Sequence, residues 1–502
     1  MGRGDHPTHM GDRQTQDDSS TGRQLRASMG AEGCRAGFER QALAHTIDPK
    51  ILREYDIRGV VGAKGGGGLD AGAAHAIGRS FATRVRGAGG RRVAVGRDGR
   101  LSSPMLEAAL VEGLAAGGID VVRVGLGPSP MLYWAESVLE VDAGVQVTGS
   151  HNPADQNGFK FMLQHGPFFG EDVKDLARLA AAGDWTEGTG TVEDADVLDE
   201  YVGHLFAGYA GGAFRLGWDA GNGAAGPVVD RLSALLPGTH HTLYTQADGR
   251  FPHHHPDPTE EANLADLKRL VAAERLDFGF AFDGDGDRIG AVTADGRTVW
   301  GDQLLAILAA PLLAEHPGAA IVADVKASSA LFERIAALGG RPVMWKSGHS
   351  NIKVRMREVA APLGGEMSGH IFFGPPEGRG YDDALYAAVR LIRAIHLSGR
   401  SLGALIDAMP PRVSTPELRF PVDPARKDAV VGEVIARLEA AGAHVDLTDG
   451  ARVTTPEGWW LLRASQTEDR LTARAEAADQ AALDRLVAEI DAQLAQSGVR
   501  RG

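Results

Sequence analysis

Ser150 lies in the segment Val147-Thr148-Gly149-Ser150-His151-Asn152-Pro153, directly after a short apolar run over residues 143–147. The run has strand character and Pro153 cannot continue its ladder, so a loop must begin between them. A hydroxyl projecting from the C-terminal end of such a strand reaches the crevice where α/β proteins bind ligands. Ser150 can therefore serve as a phosphate carrier. His151 can bond its hydroxyl or a phosphoryl oxygen, Asn152 can fix the turn, and Gly149 is expected to supply the tight bend. By itself the segment also reads as a plain polar loop.

A second group follows residues 278–282, which have the composition of a buried strand. It reads Asp283-Gly284-Asp285-Gly286-Asp287-Arg288. Three carboxylates at alternate positions, spaced by glycines, can converge on one hard divalent cation. A calcium EF-hand loop shares this opening and fails further on, because its sixth position would be glycine and is Arg288. Its twelfth would be glutamate and is Ala294. A solvated acidic turn is the remaining alternative. Arg288 beside the carboxylates suggests a site that holds an anion and a cation together, as phosphoryl transfer requires.

Two further segments carry polar groups at useful spacing. In Gly364-Gly365-Glu366-Met367-Ser368-Gly369-His370, an extended loop would turn Glu366, Ser368 and His370 to one side. The first two could then clasp vicinal hydroxyls while His370 lies near a moving proton. In Leu462-Arg463-Ala464-Ser465-Gln466-Thr467-Glu468-Asp469-Arg470, a guanidinium fork and two hydroxyls alternate, which suits a phosphate monoester. A flexible glycine turn and an ordinary polar hairpin are the plain alternatives.

The elements that must hold these groups alternate from residue 50 onward. Strands are predicted over residues 92–95, 120–124, 214–218, 277–282 and 321–323. Helical faces are predicted over residues 264–270, 331–338 and 385–395, and Ser103-Pro104 opens a helix with Leu106, Leu110 and Leu114 along one face. This alternation indicates α/β layers with active loops at strand C-termini. Beyond about residue 411 the order changes to a helix over residues 425–441, then strands, then a helix over residues 480–494. That is an α+β unit.

The four segments in this order resemble the α-D-phosphohexomutase superfamily, and most of all its bacterial phosphomannomutase/phosphoglucomutase branch. Smaller matches are Glu54-Tyr55-Asp56-Ile57-Arg58-Gly59, Asn157-Gly158-Phe159-Lys160, Asp219-Ala220-Gly221-Asn222-Gly223 and Trp345-Lys346-Ser347-Gly348-His349-Ser350. The resemblance implies three similar α/β domains with mixed sheets plus a C-terminal α+β domain around a central cleft. Its domains would span residues 47–195, 196–297, 298–411 and 412–502, after an extension over residues 1–46 read as disordered or as an upstream start-site assignment. It implies a phosphoserine at Ser150 and Mg²⁺ held by Ser150, Asp283, Asp285 and Asp287. Lys160, His151, Arg288 and His370 would be catalytic, with Lys160 first, then His151 and His370, as candidates for proton transfer. Tyr55, Arg58, Lys326, His349, Glu366, Ser368, Arg463, Ser465, Gln466 and Thr467 would bind substrate. The implied reaction moves a phosphoryl group between C1 and C6 of glucose or mannose phosphates, through a hexose 1,6-bisphosphate that also acts as activator. Phosphoglucosamine mutase chemistry and a non-catalytic sugar-phosphate sensor are the alternatives. The chain departs from the family's phosphate loop at two positions: Gln466 stands for the usual asparagine and Asp469 for the usual proline.

Composition agrees with this picture. The chain has 502 residues, 43% of them hydrophobic, enough for several cores. A net charge of -14 makes nucleic acid an unfavourable partner. It also requires cations to be concentrated locally if a sugar phosphate is to bind, with Arg58, Lys160, Arg288, Lys326, Lys346 and Arg463 as candidates. Cys34 is the only cysteine, so no intrachain disulfide forms and a cytoplasmic setting is expected. The longest apolar run, residues 304–314, contains Pro311 and falls short of the ~20 residues needed to span a bilayer. A monomer or weak homo-oligomer is expected.

Overall fold

The computed structural model of the protein describes residues 44–62, 68–465 and 470–501. The expectations placed on residues 1–43, Cys34 included, and on Gln466, Thr467 and Asp469 lie outside the described residues. The folded body already includes His45, whose backbone N–H donates to Ala180 O at 3.0 Å, and the buried Ile47.

Four sheets succeed one another along the chain. The first is built on Arg92–Arg97, Asp120–Leu126, Ala143–Val147 and Gln156–Leu163. The second uses Phe214–Asp219, Gly238–Leu243, Phe278–Phe282 and Ile289–Thr293, and the third uses Ala320–Asp324, Arg341–Trp345, Leu363–Gly365 and Ile371–Phe373. In all three the strands, taken in chain order, lie side by side as fourth, third, first, second. The first strand runs parallel to the second and third, and the fourth returns antiparallel to the third. The threefold repeat is thus plain in topology, although no repeat is visible in the residues. Ile57–Val60 and Val192–Asp194 extend the first sheet at its two edges. Thr298–Val299 extends the second past residue 297. The fourth sheet is antiparallel, with Gly458–Ala464 and Arg470–Ala477 at its centre and helices Lys427–Ala440 and Gln480–Gln496 packed on it.

The expected helix over residues 425–441 begins with a 3₁₀ turn at Pro424–Arg426, because Pro424 occupies its first position and Asp423 caps Ala425 N. The apolar run at residues 304–314 is a buried helix, Gly301–Glu315. It is hydrophobic all round because it packs inside a core shared by the first three domains. Among the described residues no helix is long and apolar enough to cross a membrane. The fourth domain has a separate core, and among the described residues a small apolar cluster of Val325, Trp459 and Leu461, flanked by Met344, joins it to the third beside polar contacts.

Candidate active site

All four singled-out segments fall between strands that pair antiparallel. The Ser150 loop joins Ala143–Val147 to Gln156–Leu163, and the aspartate loop joins Phe278–Phe282 to Ile289–Thr293. The Glu366 loop joins Leu363–Gly365 to Ile371–Phe373, and the Arg463 loop lies between Gly458–Ala464 and Arg470–Ala477.

Ser150 itself takes the left-handed conformation (φ 50°), which Gly149 was expected to supply. Gly149 is required for another reason: a Cβ there would lie 2.6 Å from the Arg100 guanidinium. Arg100 is the hub of the loop. Its terminal nitrogens donate to the carbonyls of Ser150 (2.6 Å), Asn152 (2.6 Å), Pro153 (2.6 Å) and Gln156 (2.9 Å). Its Nε pairs with Asp98 at 3.1 Å, and both side chains are buried. Asp98 also accepts from Thr148 Oγ1, whose oxygen in turn accepts Ser150 N at 2.8 Å. Burial of a guanidinium is tolerated because nearly every donor finds an oxygen. The positive φ at Ser150 is thereby over-determined, which a strained conformation needs in order to persist.

The strained loop presents Ser150 Oγ to the second domain. Oγ donates to Asp283 Oδ2 at 2.9 Å and lies 3.1 Å from His151 Nδ1. Gly284 makes this approach possible, since a Cβ there would stand 2.4 Å from Ser150 O. Asp283, Asp285 and Asp287 are all fully buried, and their oxygens lie within 4.8 Å of one another. Burial and the charges of Asp285 and Asp287 push the Asp283 carboxyl well above the usual range. Burial also opposes ionisation of Asp285, and the Lys160 ammonium overcomes it, holding that carboxyl below its ordinary value. Lys160 Nζ donates to Asp285 Oδ2 at 2.7 Å and to Asp287 Oδ2. Although burial disfavours its charge, these two carboxylates hold Lys160 well above the ordinary lysine range. One oxygen each of Asp285 and Asp287 is buried without a hydrogen-bond partner among the described residues. Hard carboxylate oxygens, buried, crowded and partly unpartnered, fit a divalent cation.

Around this centre the expected residues fall into place unevenly. Arg58 donates to Asp56 (2.7 Å) and to Asn152 Oδ1 (3.0 Å), on the Ser150 side. Burial, followed by the charges of Arg288 and Arg58, holds His151 well below the ordinary histidine range, so its imidazole is neutral. Arg288 Nε donates to His370 Nε2 at 3.0 Å, and His370 Nδ1 stands 2.8 Å from Asp382 Oδ2. His349 lies between Tyr55 and His370, its ring tilted to both, with centroids 5.4 and 5.6 Å away. The Glu366 loop is not extended. Gly369 N bonds Glu366 O (3.0 Å) and Glu366 N bonds His370 O (2.9 Å), closing a tight turn. The alternation argument therefore does not apply, and Glu366 Oε1 instead accepts Gly348 N at 2.6 Å while Ser368 is half-buried.

Of the residues expected to bind phosphate, Arg463 and Ser465 lie within the described residues. Arg463 Nε donates to Asp449 Oδ2 at 3.0 Å, and the same oxygen accepts Ser347 N at 3.1 Å. Lys326 lies 3.6 Å from Glu417, Tyr55 Oη donates to Ser347 O at 2.9 Å, and Ser465 N bonds Arg470 O. Lys346 is exposed. Arg100, Asp382 and Asp449 were missed in the sequence. Arg100 follows the Arg97-Asp98 pair too closely to stand out, and the other two owe their importance to partners distant in the chain.

Family profiles described as phosphoglucomutase/phosphomannomutase alpha/beta/alpha domains I, II and III and C-terminal domain match residues 49–185, 199–296, 300–413 and 417–493. A phosphomannomutase/phosphoglucomutase of Pseudomonas aeruginosa is 41% identical over 446 residues, covering 89% of this chain and 95% of that protein. A phosphoglucomutase of Neisseria gonorrhoeae is 38% identical over 447 residues, covering 88% and 96%. A solved phosphoglucomutase/phosphomannomutase family protein of Burkholderia thailandensis is similar with a TM-score of 0.84 at 41% identity, covering 89% of this chain and 98% of that one. With all four domains matched in order and the relatives covered nearly end to end, this chain belongs to the phosphoglucomutase/phosphomannomutase family of phosphohexomutases.

Proposed function

We propose that the chain interconverts the 6- and 1-phosphates of glucose and mannose by passing a phosphoryl group through Ser150. The observation that carries this reading is the 2.9 Å hydrogen bond from Ser150 Oγ to Asp283, which joins the loops of two domains beside Lys160. Asp283, Asp285, Asp287 and an oxygen on Ser150 would hold Mg²⁺, which neutralises phosphoryl charge when bound. The remaining work falls to the chain's own side chains. From phosphorylated Ser150, the P–O bond to Oγ breaks as one forms to the sugar's free O6 or O1, giving a hexose 1,6-bisphosphate. Lys160 was the first expectation for proton transfer. Held charged by Asp285 and Asp287, it is better suited to steadying anionic oxygens, together with Arg288. Neutral His151, beside Oγ, suits the proton better, with His370 as the other candidate.

The bisphosphate must then turn end over end so that its other phosphate returns to Ser150. Arg463, Ser465, Gln466, Thr467 and Lys326 take the phosphate that is not moving. Tyr55, Arg58, His349, Glu366 and Ser368 hold the sugar in either pose. One chain supplies every loop, so a monomer suffices. Intact-mass measurement after exposure to glucose 1,6-bisphosphate tests the reading. One phosphoryl group is expected on the parent, mapped to Ser150, and none on Ser150→Ala. A parent that stays unphosphorylated would overturn the mutase reading and favour a sugar-phosphate sensor.

A further inference from the structure

Besides Ser150 and Lys160, the first domain holds the aspartate loop through Ser129. Ser129 opens helix Ser129–Val138 and is fully buried. Its backbone N–H donates to Asp285 O at 2.8 Å, and its hydroxyl donates to Asp285 Oδ2 at 2.5 Å. Asp285 is thus held by main chain and side chain at once, from a residue 156 positions away. Gly286 allows the approach: it takes φ 71°, and a Cβ there would lie 2.8 Å from Pro128 Cβ.

The place of Ser129 is itself fixed. Gly127 N donates to Arg97 O at 3.0 Å, and Gln146 Nε2 donates to Gly127 O at 2.9 Å. Gln146 belongs to Ala143–Val147, the strand that leads into the Ser150 loop. One strand therefore sets the Ser150 hydroxyl on Asp283 and, through Gln146, the Ser129 hydroxyl on Asp285.

The two oxygens of Asp285 are used unequally. Oδ2 takes two donors, the Ser129 hydroxyl and the Lys160 ammonium, the latter at 2.7 Å. Oδ1 is buried and has no hydrogen-bond partner among the described residues. Against burial, the Lys160 ammonium and then the Ser129 hydroxyl hold this carboxyl below its ordinary value, so it is ionised and only accepts. A buried anionic oxygen without a donor needs a cation, and donors on its twin decide which of the two is left to ligate. We propose that Ser129 is a positioning residue for the divalent cation: by occupying Asp285 Oδ2 it leaves Oδ1 as the ligating oxygen. Lys160 cannot set this alone, because its ammonium also serves Asp287 and sits on a flexible stem. The inference rests on reading the aspartate loop as a cation site.

The test uses dialysed full-length protein with Mn²⁺ as the probe, its free fraction counted by electron paramagnetic resonance. Ser129→Ala keeps the backbone bond to Asp285 and should weaken Mn²⁺ binding about tenfold, as loss of a ligand's hydrogen-bond partner does. Ser129→Thr, which restores the hydroxyl, should bind within about threefold of the parent. Ser129→Val has the shape of that threonine without its donor and should bind as weakly as Ser129→Ala. Adding Ser129→Ala to Asp285→Ala should cost nothing more, because the hydroxyl acts through that carboxylate. Parent-like or tighter binding by Ser129→Ala, or valine matching threonine, would overturn the proposal. A crystal of the parent with Mn²⁺ decides the same point without any variant. Asp285 should ligate through Oδ1 while Oδ2 stays on Ser129, and ligation through Oδ2 would overturn the proposal. A parent that binds no Mn²⁺ would overturn the cation reading and this inference together. Failure of the mutase reading is separable, since it shows in intact mass, whereas Mn²⁺ binding decides the role of Ser129 with or without phosphoryl uptake.

Discussion

The loop that presents Ser150, the proposed phosphate carrier, depends on a buried arginine. Arg100 ties four loop carbonyls and Asp98 together, and the left-handed Ser150 is held by that frame. A lysine ammonium in its place has three donors on a flexible stem and cannot span the same oxygens. Arg100→Lys should therefore lose at least about 3 kcal/mol of stability, the worth of two charge-assisted bonds. Phosphorylation of Ser150 should slow in parallel, because Oγ no longer faces Asp283. Urea unfolding and a time course of intact mass would measure the two effects. At this scale the sequence was informative wherever one short segment contained the whole group, as in Asp283-Gly284-Asp285-Gly286-Asp287. It was silent about Arg100, most of whose partners come from a loop some 50 residues later.

Each catalytic loop is a hairpin turn, and this places it at the C-terminal end of a parallel strand while a return strand anchors its far side. The elements also carry a pH signature. Asp383 caps helix Ala384–Ser398 by accepting Tyr386 N at 2.8 Å and takes a second bond from Tyr201 Oη at 2.9 Å. Burial nevertheless pushes its carboxyl up to about 7. Because the folded value exceeds the unfolded one near 4, the protonated form contributes stability that is complete below about 4. That contribution is lost as pH rises through about 7. Between pH 5 and 8 the parent should lose on the order of 2–3 kcal/mol relative to Asp383→Asn. Thermal unfolding of both proteins at the two pH values would show a wider gap in the parent. Equal losses would mean that Asp383 is ionised throughout. The third strands of the repeat, Ala143–Val147 and Phe278–Phe282, were predicted from their apolar runs. The antiparallel partners were not, because Gln156–Leu163 mixes polar motif residues into its strand and Ile371–Phe373 is too short to show a period.

Across the whole molecule, three domains share one core while the fourth is joined largely through polar contacts. Glu476 accepts from Ser329 N (2.9 Å), Ser329 Oγ (2.7 Å) and Trp459 Nε1 (2.9 Å). Asp449 bridges Arg463 to Ser347 N across the same boundary. A polar interface of this kind suits a domain that opens and closes, which a tumbling bisphosphate needs. Asp449 also orients Arg463 without facing Ser150. Asp449→Ala should therefore raise KM for the sugar phosphate about tenfold, the worth of one charged hydrogen bond, and leave Ser150 phosphorylation by the bisphosphate largely intact. Steady-state kinetics alongside intact mass would separate these effects. A fall in kcat with unchanged KM would place Asp449 in the chemical step instead.

The amino-acid sequence by itself determined the chemistry available: a serine on a strand-end loop, three carboxylates spaced by glycine, and two further polar turns in a specific order. Those features are local, and residue type with short spacing is enough to define them. Only the tertiary structure decided which groups meet. Ser150 reaches Asp283 from 133 positions away, and Arg463 shares a carboxylate with Ser347. It also decided that Lys160 is held as a cation and that His370 sits between Arg288 and Asp382. Charge state and partner are set by burial and by neighbours brought from other domains, and neither exists until the chain has folded.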